Sequence, residues 1–515
     1  MRWRAAVALC AAMVLTACGG ARAPHPIGEP VAGGSAVVMQ LNEPRSLDPA
    51  TLGNAWGAQA FLGNALYGTL LTNDPRTGEV RPSMAASFAT TDGGATFTLA
   101  LRPGLTFSDG SPLDAAAVQV NWQRMKDPAT GSVLAGEAAM IASTEVADPT
   151  TLTVNMAVPA PNYAQVVLAS SLNWVASPTA LARGRQAFDA NPVGAGPFML
   201  ASWIRGGSIE LAKNPAYWDA PKPYLDRIAL RTAHDAAQRY NSVVSGGAAV
   251  AVETNWENLA KAREAGLPTD VVQLNGGLYL AMNTRRAPFD DVRARRAVAA
   301  ALDLDAINST AYDGKGEPVR TLFTESSPFY SDLELRRTDR ATAQRLFDEL
   351  AAEGKAVRFT FTSSAASEIR SIAESVQAQL SSYTGVDMQI KVLDFAAFPE
   401  LATTHDFDML TWSAHFGDPD PRLWSGFHSL SRSNYSGVHD AALDASLQTG
   451  RTATSVEERR AAYAVVQERL IELTPVLFVS RAAPAAIAAK NVGGLVQYGN
   501  GSLLPAELWL DNGSE

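Results

Sequence analysis

The sequence is almost empty of cysteine. Among 515 residues only Cys10 and Cys18 occur, both near the start. From Gly19 onward there is no thiol, so disulfides, cysteine-ligated zinc and cysteine nucleophiles are excluded from the body of the chain. A positive surplus is also missing. There are 42 Lys and Arg against 52 Asp and Glu, a net charge of −10. No basic stripe exists to neutralise phosphates, which argues against a nucleic-acid partner. Beyond the N-terminal apolar run no second long apolar segment is found. The spacings G-x-S-x-G, S-x-x-K, H-E-x-x-H and G-x-x-x-x-G-K-[ST] are absent as well. His405, His415, His428 and His439 lie close in sequence, but their spacing fits no standard metal motif. These absences predict a binder that is not an enzyme, with no cofactor and no resident metal.

What is present begins with Arg2, Arg4 and an apolar run from Ala5 to Leu15. That run suits a signal-peptide core and is too short to span a bilayer. Leu15-Thr16-Ala17-Cys18, followed by Gly19-Gly20, resembles a bacterial lipobox. The resemblance implies a signal peptide over residues 1–17 and a lipid on Cys18, each buried methylene contributing about 0.8 kcal/mol to anchoring. Cutting before Cys18 removes Arg2 and Arg4, leaving 40 basic against 52 acidic residues, or −12. Residues 18–35 are rich in Gly, Ala and Pro and read as a tether. The chain is then expected in the cell envelope, held to the outer face of the cytoplasmic membrane by lipid alone.

Length and composition point to two or three globular domains. Hydrophobic residues are 47% and charged residues 18%, as in ordinary folded chains. Val37 to Leu41 reads as a strand. Phe97, Leu99 and Leu101 alternate between the turn Asp92-Gly93 and Pro103-Gly104. Asp114 caps a helix through Lys126. Phe198–Trp203 and Ile209–Leu211 form a hairpin around Gly206-Gly207. From about residue 278 strands alternate with amphipathic helices. Ala343, Leu346, Phe347 and Leu350 share one helical face, closed by Gly354. Val357–Phe361, Val386–Val392 and Met409–Trp412 read as strands. Ser455 with Glu458 has the form of a capping box. This alternation implies an α/β sheet covered by helices.

Seven blocks, in order, resemble the peptide- and nickel-type extracytoplasmic binding proteins of ABC importers, which include dipeptide and oligopeptide receptors. They are Ser46-Leu47-Asp48-Pro49, Leu66–Leu71, Phe97–Val118, Val193–Phe198, Asn214–Trp218, Pro288–Arg293 and Ala301–Asp305. The resemblance implies a two-lobed α/β periplasmic-binding-protein fold of type II, cluster C-like, with an extra inserted domain. The first lobe is expected from 36–65, 190–275 and 480–515, the inserted domain over 66–189 and the second lobe over 276–479. Two chain crossings, near Leu274–Leu278 and Thr474–Ser480, would form the hinge. The implied partners are a peptide ligand and the permease and ATPase subunits of an importer, served by a monomer.

The resemblance also nominates site residues. Trp412 matches a family Trp that is followed, three positions later, by an Asp pairing with the peptide amino group; here that position is His415. A neutral imidazole cannot form that charge-assisted pair. Either His415 hydrogen-bonds in the pocket, or Asp418 or Asp420 supplies the acid, or His415 meets a metal in a chelate. Asp418-Pro419 also has the form of a simple turn. The family's carboxylate-clamping Arg is absent from Phe361-Thr362-Ser363-Ser364, and neither Arg358 nor Arg370 matches it. A longer peptide held by its main chain is therefore the first expectation. Asn255, Asn54, Trp56, Tyr279, Asn434 and Tyr435 complete the candidate ligand contacts. A nickel-type or haem receptor, a regulatory lipoprotein without ligand and a secreted hydrolase are the alternatives.

Overall fold

A computed structural model describes residues 28–511 apart from 75–76, 133, 394–397 and 483. The signal segment and Cys18 lie outside the described residues.

Three sheets organise the chain. The first has seven strands in the order Thr269–Val271, Ala485–Ala488, Val250–Glu253, Ser35–Gln40, Arg227–Thr232, Ser208–Lys213, Phe198–Trp203. Ser35–Gln40 runs parallel to both its neighbours, and the remaining pairs are antiparallel. Val38, Val250, Ile228 and Ile487 are fully buried in it. Strands buried on both faces read as continuous apolar runs rather than alternating ones.

The second sheet has five strands: Val386–Leu393, Val357–Ser364, Met409–Phe416, Asn275–Met282 and Val476–Ser480. Its first three strands are mutually parallel and the other pairings antiparallel. Alternation along Asn275–Met282 splits its two faces. Leu280 and Met282 enter a core with Phe289, Phe347, Phe361 and Ile372, whereas Tyr279 and Ala281 enter another with Phe323, Leu410 and Tyr463. A two-residue period can only feed two cores if helices cover both faces.

The third sheet is an antiparallel set of four: Ala85–Ala89, Thr96–Leu101, Thr151–Met156 and Ile141–Asp148. Phe97, Leu99 and Leu101 share one core with Val38 and Ile228 of the first sheet. The four-stranded unit therefore rides on the first lobe.

Local signals set the helix ends. Asp114 accepts from the Ala117 amide at 2.8 Å, Asp339 from Thr342 at 3.0 Å and Ser455 from Glu458 at 3.2 Å. Each such cap contributes about 1 kcal/mol.

The two lobes join where 272–274 leaves the first sheet and where the chain returns between Ser480 and Ala485. The crossings meet the expected stretches only at Leu274 and Ser480, because Asn275–Met282 and Val476–Ser480 are strands of the second sheet. The crossings touch: the Val272 amide donates to the Pro484 carbonyl at 3.0 Å. Arg481, buried, is tied to the second lobe through Glu317 at 2.9 Å, the Gly276 carbonyl at 3.0 Å and the Thr321 carbonyl at 2.9 Å.

Candidate functional site

The strand carrying Trp412 was expected to stop there. It continues to Phe416 because Ala414 and Phe416 turn inward and are buried. His415 is therefore a strand residue, paired opposite Gly276. Gly276 has φ +67°, and a Cβ on it would stand 2.0 Å from the Ala414 carbonyl oxygen. Glycine alone allows the two strands this approach. The neighbouring Asn275 fixes the strand end, donating to the Gly417 carbonyl at 3.0 Å and accepting from the Thr324 amide at 2.9 Å.

From there the His415 ring reaches the first lobe. It meets the Trp56 indole edge-on, centroids 5.4 Å apart and planes at 69°. His415 Nδ1 and Trp56 Nε1 are both shut off from water, and neither has a hydrogen-bond partner among the described residues. Thr411 Oγ1, on the same strand, is in the same condition. Burial, aided by nearby Arg422, pushes His415 down to about 3, so its ring is neutral at physiological pH. Sealed polar atoms without partners are rare because each forfeits its hydrogen bonds to water. Here two of them come together, one from each lobe.

Space opens on the C-terminal side of His415. One cavity, of about 350 Å³, is walled by Asn275, Gly417, Asp418, Arg459 and Gln165. A second, of only about 50 Å³, is walled by Phe416, Gly417, Asp418, Arg422 and Gln165. Both lie between the second lobe, the four-stranded unit and the C-terminal segment at Gly499. Neither has Trp412 or His415 in its wall.

The other candidates occupy distinct settings. Trp412 packs on Tyr435 with centroids 4.2 Å apart and planes tilted by 38°, and burial raises the Tyr435 hydroxyl to about 12. Asp418 is held by both Arg459 guanidinium nitrogens at 2.6 and 2.9 Å. Asp420 pairs with Arg451 at 2.9 Å, and burial outweighs that pair, raising its carboxyl to about 6. Asn54 donates to Leu168 and Ser170 carbonyls and accepts from Ser502 at 2.6 Å. Asn434 ties its own loop, donating to Val438 and accepting from Ser436 and Gly437. Tyr279 is buried between Phe427 and Phe478. Asn255 caps the helix Trp256–Glu264 with its oxygen, 3.0 Å from the Asn258 amide, while its NH2 donates to no described residue. The structure thus brings Trp56 to His415 and Trp412 to Tyr435. It spends the side chains of Asn54 and Asn434 on the protein itself.

Of the wall residues named above, Gln165, Asn275, Arg422 and Arg459 escaped sequence reasoning. Arg459 sits in the run Glu457-Glu458-Arg459-Arg460, which reads as a solvated helix face, yet it is buried. Its pairing with Asp418, distant in the chain, and its bond to the Gly450 carbonyl at 3.0 Å explain that.

The family model "Bacterial extracellular solute-binding proteins, family 5 Middle" matches residues 79–434. The chain belongs to this family. Among curated relatives of this family 5 protein is the glutathione-binding protein GsiB of Escherichia coli O1:K1, 28% identical over 316 residues. That match covers 60% of this chain and 60% of the relative. Solved structures agree on the fold. AgaA from A. tumefaciens R10, in complex with agropinic acid, has a TM-score of 0.81 at 23% identity, covering 93% of this chain and 99% of that one. DppA from Helicobacter pylori, in complex with the peptide STSA, has a TM-score of 0.80 at 22% identity over 93% and 98%. NikA from Brucella suis, in complex with Fe(III)-EDTA, has a TM-score of 0.77 at 22% identity over 93% and 100%. The family 5 fold is therefore that of a two-lobed solute-binding protein. No group of three or more metal-binding side chains occurs among its described residues.

Proposed function

We propose that this family 5 protein is the substrate-binding lipoprotein of an ABC importer, taking an oligopeptide between its lobes and delivering it to a membrane permease. The observation that carries this reading is the pair of sealed, unpartnered atoms His415 Nδ1 and Trp56 Nε1, offered from opposite lobes. A neutral imidazole and an indole N–H suit amide groups, which both donate and accept. A solute that satisfies both atoms touches both lobes at once, and only the closed form offers that. GsiB by its name binds glutathione and DppA was solved with a peptide, in keeping with this choice, whereas AgaA and NikA were solved with agropinic acid and Fe(III)-EDTA. The proposed domain division remains 36–65 with 190–275 and 480–515, then 66–189, then 276–479. Cys18 is the proposed lipid attachment point.

Native mass spectrometry of protein purified without denaturation tests the reading. Copurified peptides of three or more residues are expected. Recovery of a metal chelate or haem instead moves the protein to the second reading, to which NikA gives weight. Turnover of peptide, ester or β-lactam substrates overturns both.

A further inference from the structure

A third cavity, of about 770 Å³, lies beyond Pro421 and Arg422, with one wall from the four-stranded unit and the other from the second lobe. Glu137, Pro421 and Arg422 wall both this groove and the cavity of about 50 Å³, so the two spaces adjoin. The function proposed above makes no use of the groove. Met140 and Val158 stand on one wall, Trp424 and Leu430 on the other. Leu430 is 81% exposed and Val158 48%. Single apolar residues on a surface are ordinary, but apolar side chains left open on both walls of one concave space mark a binding surface. Trp424 is held in place. The Arg451 guanidinium lies 4.3 Å from its ring centre, and the His428 ring stacks on it at 4.5 Å.

The charge of the groove runs against that of the chain. The whole sequence carries −10, whereas the groove is lined by Arg422, Arg432 and Arg451 against the single acid Glu137. Arg451 is committed to Asp420 at 2.9 Å and to Trp424. Arg422 and Arg432 are exposed, and neither guanidinium has a hydrogen-bond or ion-pair partner among the described residues. A guanidinium forms charge-assisted bonds with a carboxylate or sulfonate, so these two select an anion. An anion alone would gain little, since exposed pairs contribute about 0–1 kcal/mol. An apolar chain adds about 0.8 kcal/mol for each methylene it buries. The wall therefore fits a molecule that has both parts.

We infer that this groove is a second binding site, separate from the meeting point of Trp56 and His415, and that it takes an anionic amphiphile: an apolar chain or ring bearing one carboxylate or sulfonate. The apolar part lies against Met140, Val158, Trp424 and Leu430, and Arg422 with Arg432 hold the anionic end. The site goes beyond the peptide reading and does not fall with it.

Calorimetry with octanoate, octanol and acetate tests the site, on the wild type, Leu430→Asp, Val158→Asp and the double variant Arg422→Gln with Arg432→Gln. All of these positions are exposed, so each variant should fold, and thermal melts confirm it. Octanoate is expected to bind the wild type about fivefold tighter than octanol, from the ionic contacts, and about a hundredfold tighter than acetate, from the buried chain. Leu430→Asp and Val158→Asp should each weaken octanoate about tenfold, by removing apolar contact and adding a like charge. The double arginine variant should bring octanoate down to octanol and leave octanol unchanged. Octanoate that fails to bind the wild type, or binds no better than octanol or acetate, overturns the site. Binding that neither aspartate variant weakens overturns it too. A concentration-dependent dimer that Leu430→Asp dissolves gives the groove to a second copy of this chain and likewise overturns it.

Discussion

Trp56 of the first lobe and His415 of the second meet edge to face, 5.4 Å between ring centres, each with a ring nitrogen cut off from both water and protein. Aromatic contacts of this kind contribute about 0.5–1.5 kcal/mol beyond the area they bury. The contact therefore favours the closed lobes modestly, and a solute must supply the rest.

The first prediction separates packing from hydrogen bonding. Trp56→Phe keeps an aromatic ring against His415 but removes the N–H together with part of the indole. Solute affinity is expected to fall about tenfold, matching roughly 1.4 kcal/mol for one hydrogen bond. The melting temperature should fall by a few degrees from the lost packing. Calorimetry on the copurified solute class and a thermal melt read both values.

The second concerns pH. His415 is depressed to about 3 by burial, against an ordinary value near 6.5. The unfolded chain takes up a proton as pH falls through 6.5, and the folded chain does not until about 3. This histidine therefore costs stability as pH drops, up to about 1.4 kcal/mol per pH unit inside that window. His415→Gln should flatten the decline in chemical-denaturation midpoints between pH 6 and 4. In NMR the His415 ring signals should not titrate above pH 5.

The third concerns the ion pair behind the cleft wall. Asp418 and Arg459 have side chains only 14% and 8% exposed. Removing one partner strands the other charge. Arg459→Ala is expected to cost about 3–5 kcal/mol. The double change Asp418→Asn with Arg459→Met should recover much of the loss, as urea unfolding would show.

The fourth concerns Gly276. Alanine there must adopt φ +67° and press on the Ala414 carbonyl. Backbone strain alone costs about 1–3 kcal/mol. Gly276→Ala should lower the melting temperature and, by displacing the strand that faces His415, weaken solute binding as well.

Much of the fold was legible because its signals are local. Asp114 and Ser455 cap where their spacing says, and the alternation of Phe97, Leu99 and Leu101 does become one buried face. The strand through Trp412 was read short because Ser413, Ala414 and Gly417 carry little β propensity. What extends it is cross-strand pairing with Asn275–Met282, which tertiary context supplies. The meeting of Trp56 with His415 was not legible. Each residue stood in the sequence as a candidate, but their contact depends on how two lobes close, and no spacing encodes that. Arg459 was hidden for the same reason, its partner Asp418 lying on a different element.

The bond from Val272 to the Pro484 carbonyl makes the two connecting threads one narrow strap. A strap bends readily about one axis and resists sliding, which would break that bond and the Arg481 clamp together. The lobes are thus allowed to swing like covers of a book along its spine. Residues beside the spine, such as Asn275, scarcely travel, whereas Trp56 and His415, whose contact exists only when the covers are shut, register its position.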